Sequence, residues 1–221
     1  MEPKTALLVG ASGLVGGHCL RFLLEDPSYG SVIVFVRRKL PDLHAKLSQL
    51  VVDFDELETL GKCPRVDDVY CCLGTTIKKA GTQDAFRKVD FEYPVRIAAL
   101  TQHCGANQFL LVSSVGADPH ARVFYSRVKG EVEEAIRKIS FGAFHVFRPS
   151  LLLGERTEHR AGEKIGAIVF SACKPFMRGP LRNYRAIRAS DVAQAMVRVA
   201  QMELTGMHIF ESGRIQEIAD R

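Results

Sequence analysis

The chain has 221 residues, enough to bury a full core in one domain spanning 1–221. Hydrophobic residues make up 47% and charged residues 25%, the balance of a folded globular chain rather than a disordered one. A net charge of +5 suits a phosphorylated ligand and is too small and scattered to argue for nucleic acid. No apolar run reaches the length needed to span a bilayer. Met1-Glu-Pro-Lys-Thr5 leads straight into a strand without a basic region and apolar leader, so a cytoplasmic protein is expected. Cys19, Cys63, Cys71, Cys72, Cys104 and Cys173 form no CxxC pair and no metal spacing with histidine, which agrees with that location and predicts no metal site; Cys71 and Cys72 alternate faces within an apolar strand, which favours packing over redox chemistry.

Thr5 to Val9 is a short apolar run ending at Gly10, as expected of a strand buried on both faces. Gly10, Gly13 and Gly16 follow, with Val15, Cys19, Phe22 and Leu23 at helical spacing. In a strand–turn–helix context, glycines permit the turn and let backbone amides approach a diphosphate at the positive helix N-terminus. The GxxGxxG spacing is a variant of the dinucleotide fingerprint, and Gly10, Ser12, Gly13, Leu14, Val15 and Gly16 are its candidate residues. The alternative is a glycine turn with a structural role alone.

The second strand, Ser31 to Val36, ends in Arg37-Arg38-Lys39. NAD-binding folds place an acidic residue about here to take the ribose hydroxyls. Two guanidinium groups suit a 2′-phosphate instead, so Arg37 and Arg38 predict NADP(H), against the plainer reading of a solvated basic turn. Leu50 to Asp53 reads as the third strand, after a short helix or loop around Pro41 to Ser48. Asp53 and Phe54 fall where such folds contact adenine, and a helix cap by Asp53 or Asp55, ahead of Glu56 to Leu60, reads equally well. Val66 to Leu73 is the fourth strand. Its end, Leu73-Gly74-Thr75-Thr76, lies at the carboxyl edge of the sheet, where ligands of these folds bind. A long helix follows from Thr82 to Cys104, with Val89, Tyr93, Ile97 and Leu100 as its apolar stripe and Pro94 expected to kink or divide it.

Gln108 to Ser113 is the fifth strand and brings Ser113 and Ser114 to its carboxyl end, where a hydroxyl can bond a substrate oxygen. The next helix carries Tyr125 and Lys129, four apart and so on one face. A phenol is a poor acid or base at neutral pH, and a neighbouring ammonium or an oxidised nicotinamide ring favours its phenolate. Bringing it to about pH 7 means roughly three units, or about 4 kcal/mol. That is the chemistry of carbonyl/alcohol interconversion. Ala143 to Phe147 is a sixth strand, followed by Arg148-Pro149-Ser150. Strands alternating with helices at this pace mean an α/β fold with a doubly wound parallel sheet. The stretch 154–188 is irregular and basic, through Arg156, Arg160, Arg178, Arg182, Arg185 and Arg188; it suits an acidic substrate or is a solvated face. Ser190 is expected to cap a helix running to about Met202, and Gly206 to Phe210 to form a last strand. Nothing after Glu211 is informative.

In order, Gly10-Gly13-Gly16, Asp53, the Gly74 turn, Ser113-Ser114, Tyr125/Lys129 and Arg148-Pro149 resemble the short-chain dehydrogenase/reductase superfamily in its atypical and extended branches. The likeness runs from about Ala6 to Ala200. More narrowly, Arg37-Arg38-Lys39-Leu40, Val51-Val52-Asp53-Phe54, Cys71-Cys72-Leu73-Gly74-Thr75-Thr76 and Val128-Lys129-Gly130-Glu131 look like the Tat-interacting-protein family and its bacterial relatives. The resemblance implies a Rossmann, NAD(P)-binding fold in which Tyr125 is the acid/base, Lys129 binds the nicotinamide ribose and lowers the tyrosine pKa, and a serine, Ser114 in preference to Ser113, polarises the carbonyl. Pro149 and Ser150 would lie beside the nicotinamide, and Arg148 is structural. Asp90 stands where many members carry asparagine. The stretch 154–188 would be a small substrate lobe, and the helices Thr82 to Cys104 and Phe124 to Ser140 would face a homodimer or protein partner. Animal members bind NADPH and are described as regulatory partners in transcription and nuclear import. Two functions are therefore expected in competition. One is an NADP(H)-dependent oxidoreductase, or an epimerase or dehydratase using the cofactor transiently, acting on an unidentified small-molecule carbonyl/alcohol substrate. The other is an NADPH-binding regulatory or protein-interaction module with little turnover.

Overall fold

The computed structural model describes residues 3–57, 64–154 and 183–221. Strand β1 (Lys4–Val9) leads through a glycine turn into helix α1 (Leu14–Glu25) and strand β2 (Tyr29–Val36). Strands β3 (Leu47–Val51) and β4 (Asp68–Cys71) follow, then the short helices α2 (Ile77–Ala80) and α3 (Gln83–Arg87). A wide π-helical turn over Lys88–Glu92 connects α3 to α4 (Tyr93–His103). Next come β5 (Gln108–Val112), α5 (Phe124–Arg137) and β6 (Ala143–Arg148). The chain closes with the two-residue strands β7 (Leu152–Leu153) and β8 (Ile187–Arg188), then α6 (Ala189–Ala200), β9 (Gly206–Glu211) and α7 (Ser212–Ala219).

Seven strands form one sheet in the order β3-β2-β1-β4-β5-β6-β9, every pairing parallel. This is the expected doubly wound Rossmann arrangement. The order reverses between β1 and β4, so a crevice opens where their carboxyl ends diverge. Successive residues of a strand face opposite sides. Leu8, Val34, Tyr70, Leu110 and Phe147 pack under α1 and α6, while Leu7, Val9, Phe35, Phe109 and Val146 pack under α4 and α5. Burial on both faces explains why these strands read as unbroken apolar runs.

Several elements depart from expectation, each for a physical reason. Strand β3 begins at Leu47 and stops at Val51, because its pairing with β2, from Val32↔Leu47 to Val36↔Val51, sets its limits; as a half-exposed edge strand it carries no continuous apolar signal. The expected helix from Thr82 to Cys104 starts as predicted, with Thr82 Oγ accepting the Ala85 N–H at 3.1 Å. The run is divided at Pro94 as expected: it sits in the first turn of α4, where a missing N–H is tolerated, and the wide turn just upstream takes up the change of register. Ser190 does not cap α6: the helix starts one residue earlier, without a side-chain cap, and the Ser190 hydroxyl donates to Asp191 Oδ1 at 3.2 Å. Helix α7 was not expected, since its buried Ile215 and Ile218 give too short a periodic signal. The 154–188 lobe lies outside the described residues except for Gly154 and 183–188, as does most of the helix expected from Glu56 to Leu60. Cys19, Cys71 and Cys72 are free, whereas Cys104 is disulfide-bonded. Local cysteine spacing does not report pairing made through the fold.

At the amino edge of the sheet, Asp68 is buried within a polar cluster. Its carboxylate accepts from the Tyr29 hydroxyl at 2.6 Å and the Gln108 amide at 2.9 Å, and it meets the Lys4 ammonium at 3.3 Å. The Tyr29 and Tyr70 hydroxyls lie 2.7 Å apart, and Gln108 also donates to the Ala200 carbonyl at the end of α6.

Candidate functional site

The glycine turn is built by close backbone approach. Gly10 leaves β1 at a φ of 86°, and a Cβ there would stand 2.5 Å from the Cys72 carbonyl oxygen at the end of β4. The Gly13 N–H closes the turn on the Gly10 carbonyl at 2.9 Å, and a Cβ on Gly16 would collide with that same carbonyl. Val15 is buried and anchors the first turn of α1, Leu14 is half-buried, and Ser12 and Gly13 are exposed. Helix α1 has no side-chain cap and no acidic residue in its first turn. Its leading amides therefore face outward for an external acceptor, and the turn fits a diphosphate.

Arg37 and Arg38 are both exposed just beyond β2, with no ion pair to a described residue. The loop that follows them is held by Gln49, whose Oε1 accepts the Leu40 N–H at 2.7 Å and whose amide donates to the Leu40 carbonyl at 3.2 Å. Asp53 is exposed and accepts the Asp55 N–H at 2.8 Å, a local turn in line with the capping alternative. Phe54 is turned into the core with its ring 5.4 Å from that of Tyr93, so its side chain does not offer the expected adenine contact.

At the carboxyl end of β4, Leu73 is half-buried and Gly74 is exposed. A Cβ on Gly74 would lie 3.5 Å from Asp90 Oδ1 and 3.9 Å from Lys129 Nζ. Lys129 is buried and its Nζ stands 2.7 Å from Asp90 Oδ1, while Asp90 Oδ2 accepts the Thr75 N–H at 2.8 Å. Burial works against the Lys129 charge, but the Asp90 carboxylate, with Tyr125 and Cys71 nearby, holds the ammonium above the ordinary lysine range. The Cys71 thiol is itself pushed up to about 12, chiefly by burial. Tyr125 is half-buried and its ring packs 5.6 Å from that of Phe86.

The two serines after β5 separate cleanly. The Ser113 hydroxyl donates to Glu133 Oε1, and Glu133 is also gripped by Arg148 through Nε at 3.1 Å and Nη2 at 2.6 Å. Arg148 reaches Glu211 at 3.5 Å as well, so Ser113 and Arg148 belong to a buried strut joining β5, α5, β6 and β9. Ser114 is half-buried, and among the described residues its hydroxyl makes only a 3.3 Å contact with the adjoining Val115 carbonyl. Other predicted hydroxyls are committed elsewhere. Thr76 caps α2 by accepting the Lys79 N–H at 3.2 Å, and the Ser150 hydroxyl donates to the Arg185 carbonyl while its N–H donates to Ser212 at 2.7 Å. The Pro149 carbonyl accepts the Val115 N–H at 2.9 Å, which ties the ends of β5 and β6 together.

Gly74, Thr75, Tyr125 and Lys129 thus converge at the carboxyl edge beside the glycine turn, whereas Phe54, Thr76, Ser113 and Ser150 spend their side chains on the scaffold. Sequence reasoning missed Phe86, Asp90 as the Lys129 counter-ion, and Glu133. The available signals were the four-residue spacings Phe86/Asp90 and Lys129/Glu133, which repeat that of Tyr125/Lys129.

The sequence pattern of the NAD dependent epimerase/dehydratase family matches residues 6–211. Protein HTATIP2 of Rattus norvegicus is 38% identical over 176 residues, covering 78% of this chain and 72% of that one. The Candida albicans protein FMP52, mitochondrial, is 32% identical over 210 residues, 91% of this chain and 90% of its own length. Among solved structures, MoeE5 in complex with UDP-glucuronic acid and NAD superposes with a TM-score of 0.70 at 18% identity, over 93% of this chain and 75% of that one. UDP-glucose 4-epimerase of Thermotoga maritima with UDP-glucose gives 0.68 at 17%, over 98% and 80%. At these identities the likeness is one of fold. The expected cytoplasmic location is overturned by the FMP52 relatives, which are named as mitochondrial. Strand β1 starts at Lys4, and its composition is set by burial in the sheet, which is the same in any compartment. No helix among the described residues is long and apolar enough to cross a membrane.

Proposed function

The chain belongs to the NAD-dependent epimerase/dehydratase family within the short-chain dehydrogenase/reductase superfamily, and from that membership we propose that it is an NADP(H)-dependent oxidoreductase acting on a carbonyl/alcohol substrate, with Tyr125 as acid/base. The observation that carries this reading is the Tyr125/Lys129 pair set beneath Gly74, with Lys129 buried and charged beside the crevice. The reading takes 1–221 as one domain, with substrate selection in the 154–188 lobe.

The glycine turn fits the diphosphate of a dinucleotide, because Gly10 and Gly16 occupy places a Cβ would fill and the α1 amides are uncapped. Arg37 and Arg38 stand ready for a 2′-phosphate. A reduced nicotinamide dinucleotide, when bound, supplies a hydride. Lys129 orients the nicotinamide ribose through its ammonium donors. Ser114 donates a hydrogen bond to the substrate carbonyl, which polarises it. Tyr125 transfers its hydroxyl proton to the carbonyl oxygen as the carbon is reduced, and the phenolate left behind regains a proton from water. Holding these groups in reach supplies the orientation on which such catalysis depends.

One observation favours a second reading, an NADPH-binding regulatory module without turnover: Ser113, Thr76 and Ser150 are all committed to internal bonds, which leaves fewer of the predicted hydroxyls to polarise a substrate. The test is an NADPH titration followed by a panel of aldehydes, ketones and sugar nucleotides, read by nicotinamide absorbance. Turnover that falls about 100-fold or more in Tyr125→Phe, with NADPH binding kept, supports the oxidoreductase. Tight binding with no turnover across the panel supports the module, and no binding overturns both.

A further inference from the structure

The loop that leaves β3 is anchored from below and clamped from above. Val52, Phe54 and Leu57 turn into the core, and Asp53 and Asp55, between them, face outward. Asp55 is the point where the clamp closes. Its carboxylate accepts from Lys88 Nζ at 2.8 Å and from the Tyr93 hydroxyl at 3.0 Å, and its carbonyl accepts from Arg96 Nη1 at 3.1 Å. Lys88 opens the wide turn, and Tyr93 and Arg96 lie at the start of α4, so the donors come from 33 to 41 residues along the chain. The Tyr93 ring also packs 5.4 Å from that of Phe54. Exposed pairs such as Lys138–Glu134 and Arg214–Glu217 join neighbours on one helix. Asp55 instead ties a loop at the carboxyl edge to a different element.

We propose that Asp55 is a positioning residue for the adenosine half of the dinucleotide: held by Lys88, Tyr93 and Arg96, it keeps the loop after β3, and Asp53 with it, in place for the base. This rests on the reading of the crevice as a dinucleotide site. The link from the clamp to Asp53 is direct. The Asp55 N–H donates to Asp53 Oδ1 at 2.8 Å, and the Asp53 carbonyl accepts the Glu56 N–H at 3.2 Å. The Asp53 carboxylate is thus turned by the residue that the clamp holds. Its other oxygen has no partner among the described residues and can accept from an amino group. The Phe54 side chain is committed to the core, so of the two residues expected at the adenine only Asp53 keeps a side-chain acceptor to offer.

Exposed ion pairs add little to stability, so the clamp matters more to binding than to folding. A loop already in place loses little freedom when a base arrives, whereas a released loop has to be ordered by the ligand, at a cost in affinity. The effect is confined to one half of the ligand. The loop follows β3, two strands to one side of β1, while Gly74, Tyr125 and Lys129 follow β4 and β5 on the other side. The two halves can therefore be probed apart. Lys88 shares its turn with Asp90, which meets Lys129, so the test acts on Asp55, outside that turn.

The test is a set of binding titrations on the full chain, by calorimetry for NADPH and by ligand-observed NMR for its fragments. Adenosine 2′,5′-bisphosphate carries the adenosine half, and reduced nicotinamide mononucleotide carries the other. Asp55→Ala is expected to weaken NADPH and the adenosine fragment by the same factor, about five- to tenfold, and to leave the nicotinamide fragment within about twofold. Tyr93→Phe keeps the ring against Phe54 and removes one bond of the clamp; it is expected to weaken the first two about threefold. The double variant should bind no more weakly than Asp55→Ala alone, because both changes remove the same bond. An adenosine-fragment affinity within about twofold of wild type in Asp55→Ala overturns the proposal. So does an equal loss for the nicotinamide fragment, the mark of a residue that only holds the fold. If Asp55→Ala does not fold, Tyr93→Phe decides by the same two readings. A wild type that binds none of the three ligands overturns the dinucleotide reading itself, whereas wild-type binding without that split in the variants overturns the clamp alone.

Discussion

Asp68 and Asp90 are both buried carboxylates, and each meets a lysine, yet they sit at opposite edges of the sheet and are closed off differently. At the amino edge, Asp68 draws in the Tyr29 hydroxyl and the Gln108 amide, and its lysine, Lys4, is 36% exposed. At the carboxyl edge, Asp90 has one backbone amide besides Lys129, and that lysine is only 6% exposed. The first carboxylate is saturated by neutral donors, so its ion pair is an addition that water can replace. The second holds its lysine as chief partner beside the crevice left by the switch in strand order. At one edge the polar groups are spent on closing the fold, while at the other a buried ion pair borders the crevice.

That contrast makes its strongest prediction at Asp68. Asp68→Ala strands the Tyr29 hydroxyl and the Gln108 amide, and should cost about 3 kcal/mol in urea unfolding. NADPH affinity of the folded fraction should not change, and a variant that weakened cofactor binding instead would erase the division of labour between the edges. A smaller effect is expected from the paired substitution Arg37→Ala/Arg38→Ala. It should weaken NADPH binding about 10- to 100-fold and leave NADH nearly untouched, so that the gap between the two narrows. Equal affinities in the wild type would remove the arginines from the carboxyl-edge site.

The smallest effect belongs to the scaffold on β6. His145 is buried, neither ring nitrogen has a partner among the described residues, and its ring lies 5.5 Å from that of His208. Burial, and then His208, push it down to about 4. The unfolded chain, titrating near the ordinary histidine value, binds a proton that the folded chain refuses. Stability is therefore complete above about pH 6.5 and falls as the pH drops towards 4. Between pH 7 and pH 5 the loss should be about 1–2 kcal/mol in denaturant titrations. It should shrink in His145→Phe, and an unchanged slope would point to other groups.

Legibility in the sequence follows the same division. β1, β2, β4, β5 and β6 were readable because burial on both faces leaves apolar runs, and the glycine turn because its close approaches exclude side chains. Tyr125 and Lys129 were readable because one helix turn relates them. β3 was misplaced because it is a half-exposed edge held by backbone pairing. The Phe54 ring is core, a placement the sequence leaves open, since an aromatic beyond a strand has the same signature in either role. The Asp90–Lys129 pair and the Ser113–Glu133–Arg148 strut join elements far apart in the chain; the spacings Phe86/Asp90 and Lys129/Glu133 put each residue on a helix face but do not say which partner it meets. The compartment was not written in the fold at all.

The end of β4 carries one more consequence. Cys72 presses its carbonyl against Gly10, and Gly74, two residues on, lies over Lys129 and Asp90. A tripeptide whose ends are roughly 7 Å apart thus touches both the diphosphate turn and the proton-handling pair. Two peptide planes are all that separate the close approach at Gly10 from the buried ion pair under Gly74, so a side chain added at either end of this tripeptide would disturb one of the two.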